Sequence, residues 1–376
     1  MKLTKLMLSV GIAAIALSSC NKQDATPEIS NRLKTVEVSL ENVVITKGVA
    51  GDKIESGDAV QVNDFKIFLT DAAGNEYQAK NAEGTADAQT YWQTADLETA
   101  ALQAKFHYVD AKCTKVIAVA NLGDDLTFAE FKALENLEIG NQQDQDNLVL
   151  YDEKTLVASG TIHNDTSEGV TYISDVYTAD LVLTPRISRF EVDGFVVMFK
   201  SPSKYQTIKI TQLAFQNYYP ETGLTTGTES GTPVNHIADF DNQSEVYSWL
   251  DTPESGTTPW YRDYFDLTLT PTDERKDTPL PLAYHFFSCD ETPVFVIKLL
   301  ADGQPAYLYS KRFCTTNGTE ITDFEEGKIY RMHARGVAEN DGSIAIDEDD
   351  IDPMDRCLDI TVDVVDWAVE FVYPEF

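Results

Sequence analysis

Histidine is scarce in this 376-residue chain: five residues, His107, His163, His236, His285 and His333, lie far apart along it. No HExxH, GxSxG, phosphate-binding loop or dinucleotide fingerprint occurs. The contiguous signatures of metal, serine and nucleotide chemistry are therefore missing, and neither catalytic residue, metal site nor cofactor is expected. Abundant carboxylates do not restore an enzyme, because most such groups are solvated surface. Basic residues are also few, 29 Lys and Arg against 62 Asp and Glu, which leaves a formal charge of −33. Such a surface repels nucleic acid and acidic lipid. Beyond residue 17 no apolar run is long enough to span a bilayer. Cysteine is sparse too. Apart from Cys20 there are Cys113, Cys289, Cys314 and Cys357, with no CxxC or zinc-ligand spacing. They can pair or lie buried as small hydrophobes, and burial is the favoured reading.

What is present begins at the N-terminus. Lys2 and Lys5 precede an apolar run from Leu6 to Leu17, followed by Ser18-Ser19-Cys20. This reads as a secretory signal peptide over residues 1–19. The Leu17-Ser18-Ser19-Cys20 ending looks like a bacterial lipobox, which makes Cys20 the acylated first mature residue. More than one acyl chain is needed for stable anchoring.

Strand patterns dominate the remainder. Phe65, Ile67 and Leu69 alternate with Asp64, Lys66 and Thr70, and Val116 to Ala120 reads as a strand buried on both faces. Short apolar runs bounded by Gly, Asn, Asp and Pro indicate sandwiches or barrels. One helix stands out: Thr127 and Glu130 form a capping box, and Phe128, Phe131, Leu134 and Leu137 recur at helical spacing. The length suits about two domains, divided near Thr184-Pro185.

The two ends resemble each other. Val36, Val38 and Leu40 alternate with Glu37, Ser39 and Glu41, and Trp367, Val369 and Phe371 alternate with Asp366, Ala368 and Glu370. In the terminal segment apolar residues hold even positions from Leu358 to Val364 and odd positions from Val365 onward. A period-two pattern that changes phase needs a bulge, a bend or a change of sheet. A strand leaving one sandwich for another and a single bulged strand both satisfy it. Between body and terminal strand, the acid-rich Asn340 to Asp355 lacks EF-hand spacing and reads as a solvated linker rather than a calcium loop.

Together these features resemble the fimbrillins, the type V pilins of Bacteroides-like bacteria. The resemblance rests on the lipobox at Cys20, the early strand Thr35 to Leu40, and Asp64-Phe65-Lys66-Ile67-Phe68-Leu69-Thr70. It continues through Lys115 to Gly123, Phe131-Lys132-Ala133-Leu134, Pro185-Arg186-Ile187-Ser188-Arg189-Phe190, Pro259-Trp260-Tyr261-Arg262 and Gly327-Lys328-Ile329-Tyr330. It ends on Ile360-Thr361-Val362 and Asp366-Trp367-Ala368-Val369.

The resemblance implies an all-β chain of two transthyretin-like β-sandwiches with a short helix in the first and a C-terminal donor strand. The implied layout is a signal peptide (1–19), a lipidated propeptide with a removable first strand (20–47), two sandwiches (48–184 and 185–345), and an acidic linker with the donor strand (346–376). The implied role is a pilus, or fimbrium, subunit supporting adhesion. It is exported as a lipoprotein, held at the outer membrane before assembly, and polymerised with copies of itself and other pilus subunits.

A surface trypsin-like protease would remove the strand bearing Val36, Val38 and Leu40. The donor residues Trp367, Val369 and Phe371 of a neighbour would fill the groove. Relatives of this type are cut after arginine, whereas the matching loop here offers Lys47 before Gly48, and further on Lys53. Arg32 and Lys34 precede the strand. The alternatives are an accessory or tip pilin, or a surface glycan-binding lipoprotein in which Trp249, Trp260, Tyr261, Tyr264, Tyr218 and Tyr219 stack sugars.

Overall fold

The computed structural model describes residues 33–41, 43–48, 59–79, 103–123, 125–144, 147–167, 170–252, 261–289, 291–334, 342–352 and 356–374. The first half contains β1 (Lys34–Glu41), β2 (Val43–Gly48), β3 (Ala59–Gln61), β4 (Phe65–Thr70), β5 (Glu76–Tyr77), β6 (Gln103–Val109), β7 (Lys115–Ala120), α1 (Phe128–Ala133), β8 (Asn136–Glu138), β9 (Leu150–Thr155), β10 (Val157–Ser167), β11 (Val170–Val182) and β12 (Thr184–Pro185). The second half contains β13 (Ser188–Met198), β14 (Ile208–Gln216), β15 (Glu221–Gly223), β16 (Glu229–Ser230), α2 (Gln243–Leu250), β17 (Arg262–Leu269), β18 (Lys276–Phe286), β19 (Val294–Ala301), β20 (Gln304–Thr315), β21 (Glu320–Ile321), β22 (Lys328–Met332), β23 (Ser343–Asp347), β24 (Cys357–Asp366) and β25 (Ala368–Pro374).

The chain is all-β, its sheets packed as sandwiches. Most first-half strands form two sheets, in the orders β10-β11-β1-β6 and β12-β9-β7-β4-β5, while β2 and β3 flank β25 and β8 joins β15 and β16 in two small sheets. Alternation explains the first sheet: Val36, Val38 and Leu40 of β1 all point into the core, which they share with Ile67, Val116 and Leu150 of the second. After β12 the chain enters a ten-stranded sheet, β17-β14-β19-β20-β24-β22-β13-β18, with β21 beside β20 and β23 beside β13. Its core is aromatic. Phe190 stacks on Phe286 and Phe313, with centroids 4.8 and 4.9 Å apart, and meets Phe295 edge-on at 5.2 Å. Such pairs add to the stabilisation from buried area.

The capping box is formed. Thr127 N donates to Glu130 Oε2 at 2.9 Å, and Glu130 N to Thr127 Oγ1 at 3.2 Å. Phe128 and Phe131 are buried as the helical spacing predicts, but the helix is shorter than the apolar stripe. Leu134 is its exposed C-cap, and Leu137 lies in β8, paired with Thr222 of β15. A six-residue helix makes little of its own stability, and the ladder to β15 takes over the last apolar position.

The solvated-linker reading of 340–355 is corrected over its described part. Ser343–Asp347 forms a strand parallel to β13, and Ile344, Ile346 and Ile351 are buried. The carboxylate of Glu348, 1% exposed, accepts from Lys200 N, Lys204 N and Ser203 Oγ at 2.8–3.1 Å. These hydrogen bonds hold it below the usual carboxylate range against the opposing pull of burial. Of the two isoleucines that interrupt the acid run, Ile346 lies in this strand and Ile351 ends a short 3-10 helix, Glu348–Ile351, so the segment is packed structure rather than a linker.

All four later cysteines are free thiols, and Cys113, Cys289 and Cys314 are buried.

Candidate strand-exchange site

The N-terminal strand β1 fills a slot. It runs parallel to β11, with Val36 opposite Tyr177, Val38 opposite Ala179 and Leu40 opposite Leu181. On its other side it runs antiparallel to β6, with Val36 opposite Phe106 and Val38 opposite Ala104. Within this sheet β6 and β11 are joined only through β1. Removing β1 therefore uncovers two strand edges and an apolar floor at once. Val36, Val38 and Leu40 are 0%, 1% and 4% exposed. Burying each such side chain is worth about 1.5–3 kcal/mol.

The outer face of β1 is polar but specific. Thr35 is fully buried, its hydroxyl 2.6 Å from that of Ser174 on β11. Glu37 forms an ion pair with Lys105 of β6, and Ser39 Oγ donates to Asp180 of β11. A cleft of about 370 Å³ lies over this face, lined by Glu37, Ser39, Lys105, Thr178 and Asp180. At the start of the strand, Lys34 Nζ donates to the Cys113 carbonyl at 2.5 Å and sits 4.2 Å above the Tyr177 ring. Burial lowers its pKa, partly offset by electrostatic interaction with Cys113 and Asp110. Lys34 opens the strand rather than preceding it, so a protease cannot reach it in the folded chain. Cys20, Arg32 and Lys53 lie outside the described residues.

The other end of the chain occupies two sheets. β24 lies in the ten-stranded sheet, parallel to β20 and antiparallel to β22, with Leu358, Ile360 and Val362 buried. β25 leaves it and runs parallel to both β2 and β3, strands of the first half. The phase change read from sequence is therefore a change of sheet, made here within one chain. Trp367 sits at the turning point and is 4% exposed. Its amide donates to the Gly327 carbonyl at 3.0 Å. The Arg189 guanidinium lies 5.1 Å from its ring, and His285 meets it edge-on at 5.7 Å. His285 donates from Nδ1 to the Gln142 carbonyl at 2.8 Å, tying this seat to the first half. Burial, with the nearby Arg189 charge, lowers its pKa to about 4, although the Gln142 hydrogen bond acts the other way. In this structure Trp367 is thus anchored in its own chain. The side chains of Val369 and Phe371 are outside the described set.

Lys47 and Gly48 do not lie in a loop. They end β2, paired with Tyr373 and Pro374 of β25. The alternation that pairs Val43 and Ile45 with Val369 and Phe371 is enough to extend a strand through this segment.

Among the described residues, the aromatic set considered for sugar stacking does not form an exposed platform, and Tyr219 is half-buried. Tyr218, Trp249 and Tyr261 are buried, Tyr264 is exposed, and Trp260 lies outside the described residues. Trp249 is sandwiched by His236 at 5.1 Å and Arg262 at 4.7 Å. Lys105, Asp180, Arg189 and His285 were not singled out by sequence reasoning as site residues. Only Arg189 lay in a segment already marked, the crossing between the halves.

No protein-family model matches the chain, and no curated protein matches it in sequence. Among solved structures its fold is similar to that of a candidate cell adhesion protein from Parabacteroides distasonis. The TM-score is 0.50 and the identity 14%, covering 91% of this chain and 98% of that one. Another from Bacteroides eggerthii aligns with TM-score 0.46 and 13% identity, over 91% and 98% of the two chains. A fimbrilin from Porphyromonas gingivalis aligns with TM-score 0.47 and 10% identity, over 91% and 99%. The all-β fold implied by the resemblance to fimbrillins is the fold found.

Proposed function

We propose that this chain is a structural subunit of a surface filament, a fimbrium, and that it joins to its neighbours by strand exchange. It is exported as a lipoprotein acylated on Cys20 and held at the outer membrane until assembly. A surface trypsin-like protease cuts after Lys47, β1 leaves, and β25 of another copy enters the slot between β6 and β11. The subunit is structural rather than enzymatic, and its partners are copies of itself and other pilus subunits. The observation that carries this reading is the slot. One strand, next to a chain end, separates two others that do not pair with each other, and it contributes three fully apolar side chains to the core. Backbone ladders on both sides with alternate side-chain pockets are the requirements of strand addition.

The test is electron microscopy of the full chain after limited trypsin treatment. Filaments are expected from the intact chain and none from a chain ending at Trp367. Filaments of equal length from both would show that β25 takes no part.

A further inference from the structure

We infer that the incoming β25 takes the direction of β1 in one register, with Ala368, Glu370 and Val372 in the places of Thr35, Glu37 and Ser39, selected by Lys105, Asp180 and the seat of Trp367. This deepens the strand-exchange reading and rests on it. Three structural constraints choose among the arrangements. First, Trp367 is buried against Arg189 and His285 of its own chain. If that seat is kept, the odd-numbered side chains left to enter the groove are Val369, Phe371 and Tyr373, three for the three places of Val36, Val38 and Leu40.

Second, the outer face is charged in a defined order, Lys105 beside position 37 and Asp180 beside position 39. In the direction of β1, Glu370 falls at position 37 and reproduces the ion pair with Lys105. In the opposite direction it falls at position 39, carboxylate against carboxylate. The register that puts Trp367 in Val36's place also sets Glu370 against Asp180. Like charges directly opposed across a ladder are unfavourable.

Third, position 35 is buried and small, occupied by Thr35 beside Ser174. The inferred register places Ala368 there. The Trp367-first register would place Asp366 there, a buried carboxylate without a cation. A remaining arrangement, reversed with Trp367 at position 40, satisfies Lys105 but requires the indole to leave its seat. The ordinary alternation of β25 thus reads as a key: a small residue, an acid and a neutral residue outward, three apolar residues inward.

Cysteine pairs in filaments grown from the full chain by limited trypsin treatment test this, with disulfides located by mass spectrometry. The pairs Glu370→Cys with Lys105→Cys and Val372→Cys with Asp180→Cys should both link different subunits. A linkage of Glu370→Cys to Asp180→Cys, or of Ala368→Cys to Asp180→Cys, would overturn the register while leaving strand exchange intact. Absence of any link between β25 and β6 or β11 would overturn both. A charge exchange gives a second readout. Lys105→Glu should slow filament growth about fivefold, the scale of an exposed ion pair, and Glu370→Lys in the same chain should restore it. Equal growth of the single and double variants would count against the inference.

Discussion

The strands β1 and β24 sit in equivalent surroundings and differ in what holds them. Each runs parallel to one neighbour and antiparallel to the other, and each sends three aliphatic side chains into a core. β24, however, continues into Trp367, whose amide is bonded to Gly327 and whose ring is packed by Arg189 and His285. Lys328 adds an ion pair to Asp366, and Arg312 another to Asp359. β1 has the buried Lys34 at its start and continues into β2, which pairs with β25. One strand is locked at its exit. The other is joined to the sheet by its ladders and its apolar face, and its exit runs through the segment proposed for cutting. Equivalent slots therefore acquire different fates from the residues that flank them.

That comparison can be broken at several points. Ile360→Asp places an unpaired carboxylate in the locked slot and should prevent the second half from folding, a loss of more than about 4 kcal/mol; loss of the denaturation transition, or of soluble protein, would show it. Trp367→Ala should cost about 3–5 kcal/mol, the range for a buried aromatic cut to alanine, seen as a lower midpoint in chemical denaturation. A change below 1 kcal/mol would mean that the seat does not lock β24.

The seat is also sensitive to acid. The neutral form of His285 is favoured in the folded chain, with a pKa of about 4 against an ordinary 6.5. The unfolded chain therefore binds the proton more readily. Stability is fully present above about pH 6.5 and falls as the pH drops toward 4, by up to roughly 3 kcal/mol. Denaturation midpoints measured between pH 4.5 and 7.5 should show this fall in the parent chain and a reduced one in His285→Gln.

Smaller effects belong to the other slot. Removing β25 after Trp367 should leave global stability within about 1 kcal/mol but expose the Lys47-Gly48 bond, since its ladder partner is gone. Trypsin should then cut there several-fold faster, as followed by mass spectrometry. An unchanged rate would mean that β25 does not shield the bond. Glu37→Gln removes only an exposed pair with Lys105 and should cost under about 1 kcal/mol, measured by the same denaturation.

Much of this was legible in the sequence where it depends on period. The alternation of Val36, Val38 and Leu40 predicted the buried face of β1, and the phase change after Val364 marked a bulge, a bend or a change of sheet, of which the structure has the last. The capping box at Thr127 was readable because it is local. What was not legible depends on distant partners. Nothing near Glu37 shows that Lys105 will face it, and nothing near Trp367 shows that Arg189 and His285 will form its seat. Leu137 continues a helical spacing but pairs as a strand because Thr222 is there to receive it. Acid density misled in the 343–352 segment, where Ile344, Ile346 and Ile351 decide the conformation and the carboxylates cap and pair around them.

The most direct test of the central claim is the N-terminal sequence of subunits recovered from assembled filaments. Strand exchange through the β6–β11 slot predicts chains that begin at Gly48 and lack Val36, Val38 and Leu40. Filament subunits that retain Val36 to Leu40 would contradict it, because the slot would then still hold its own strand.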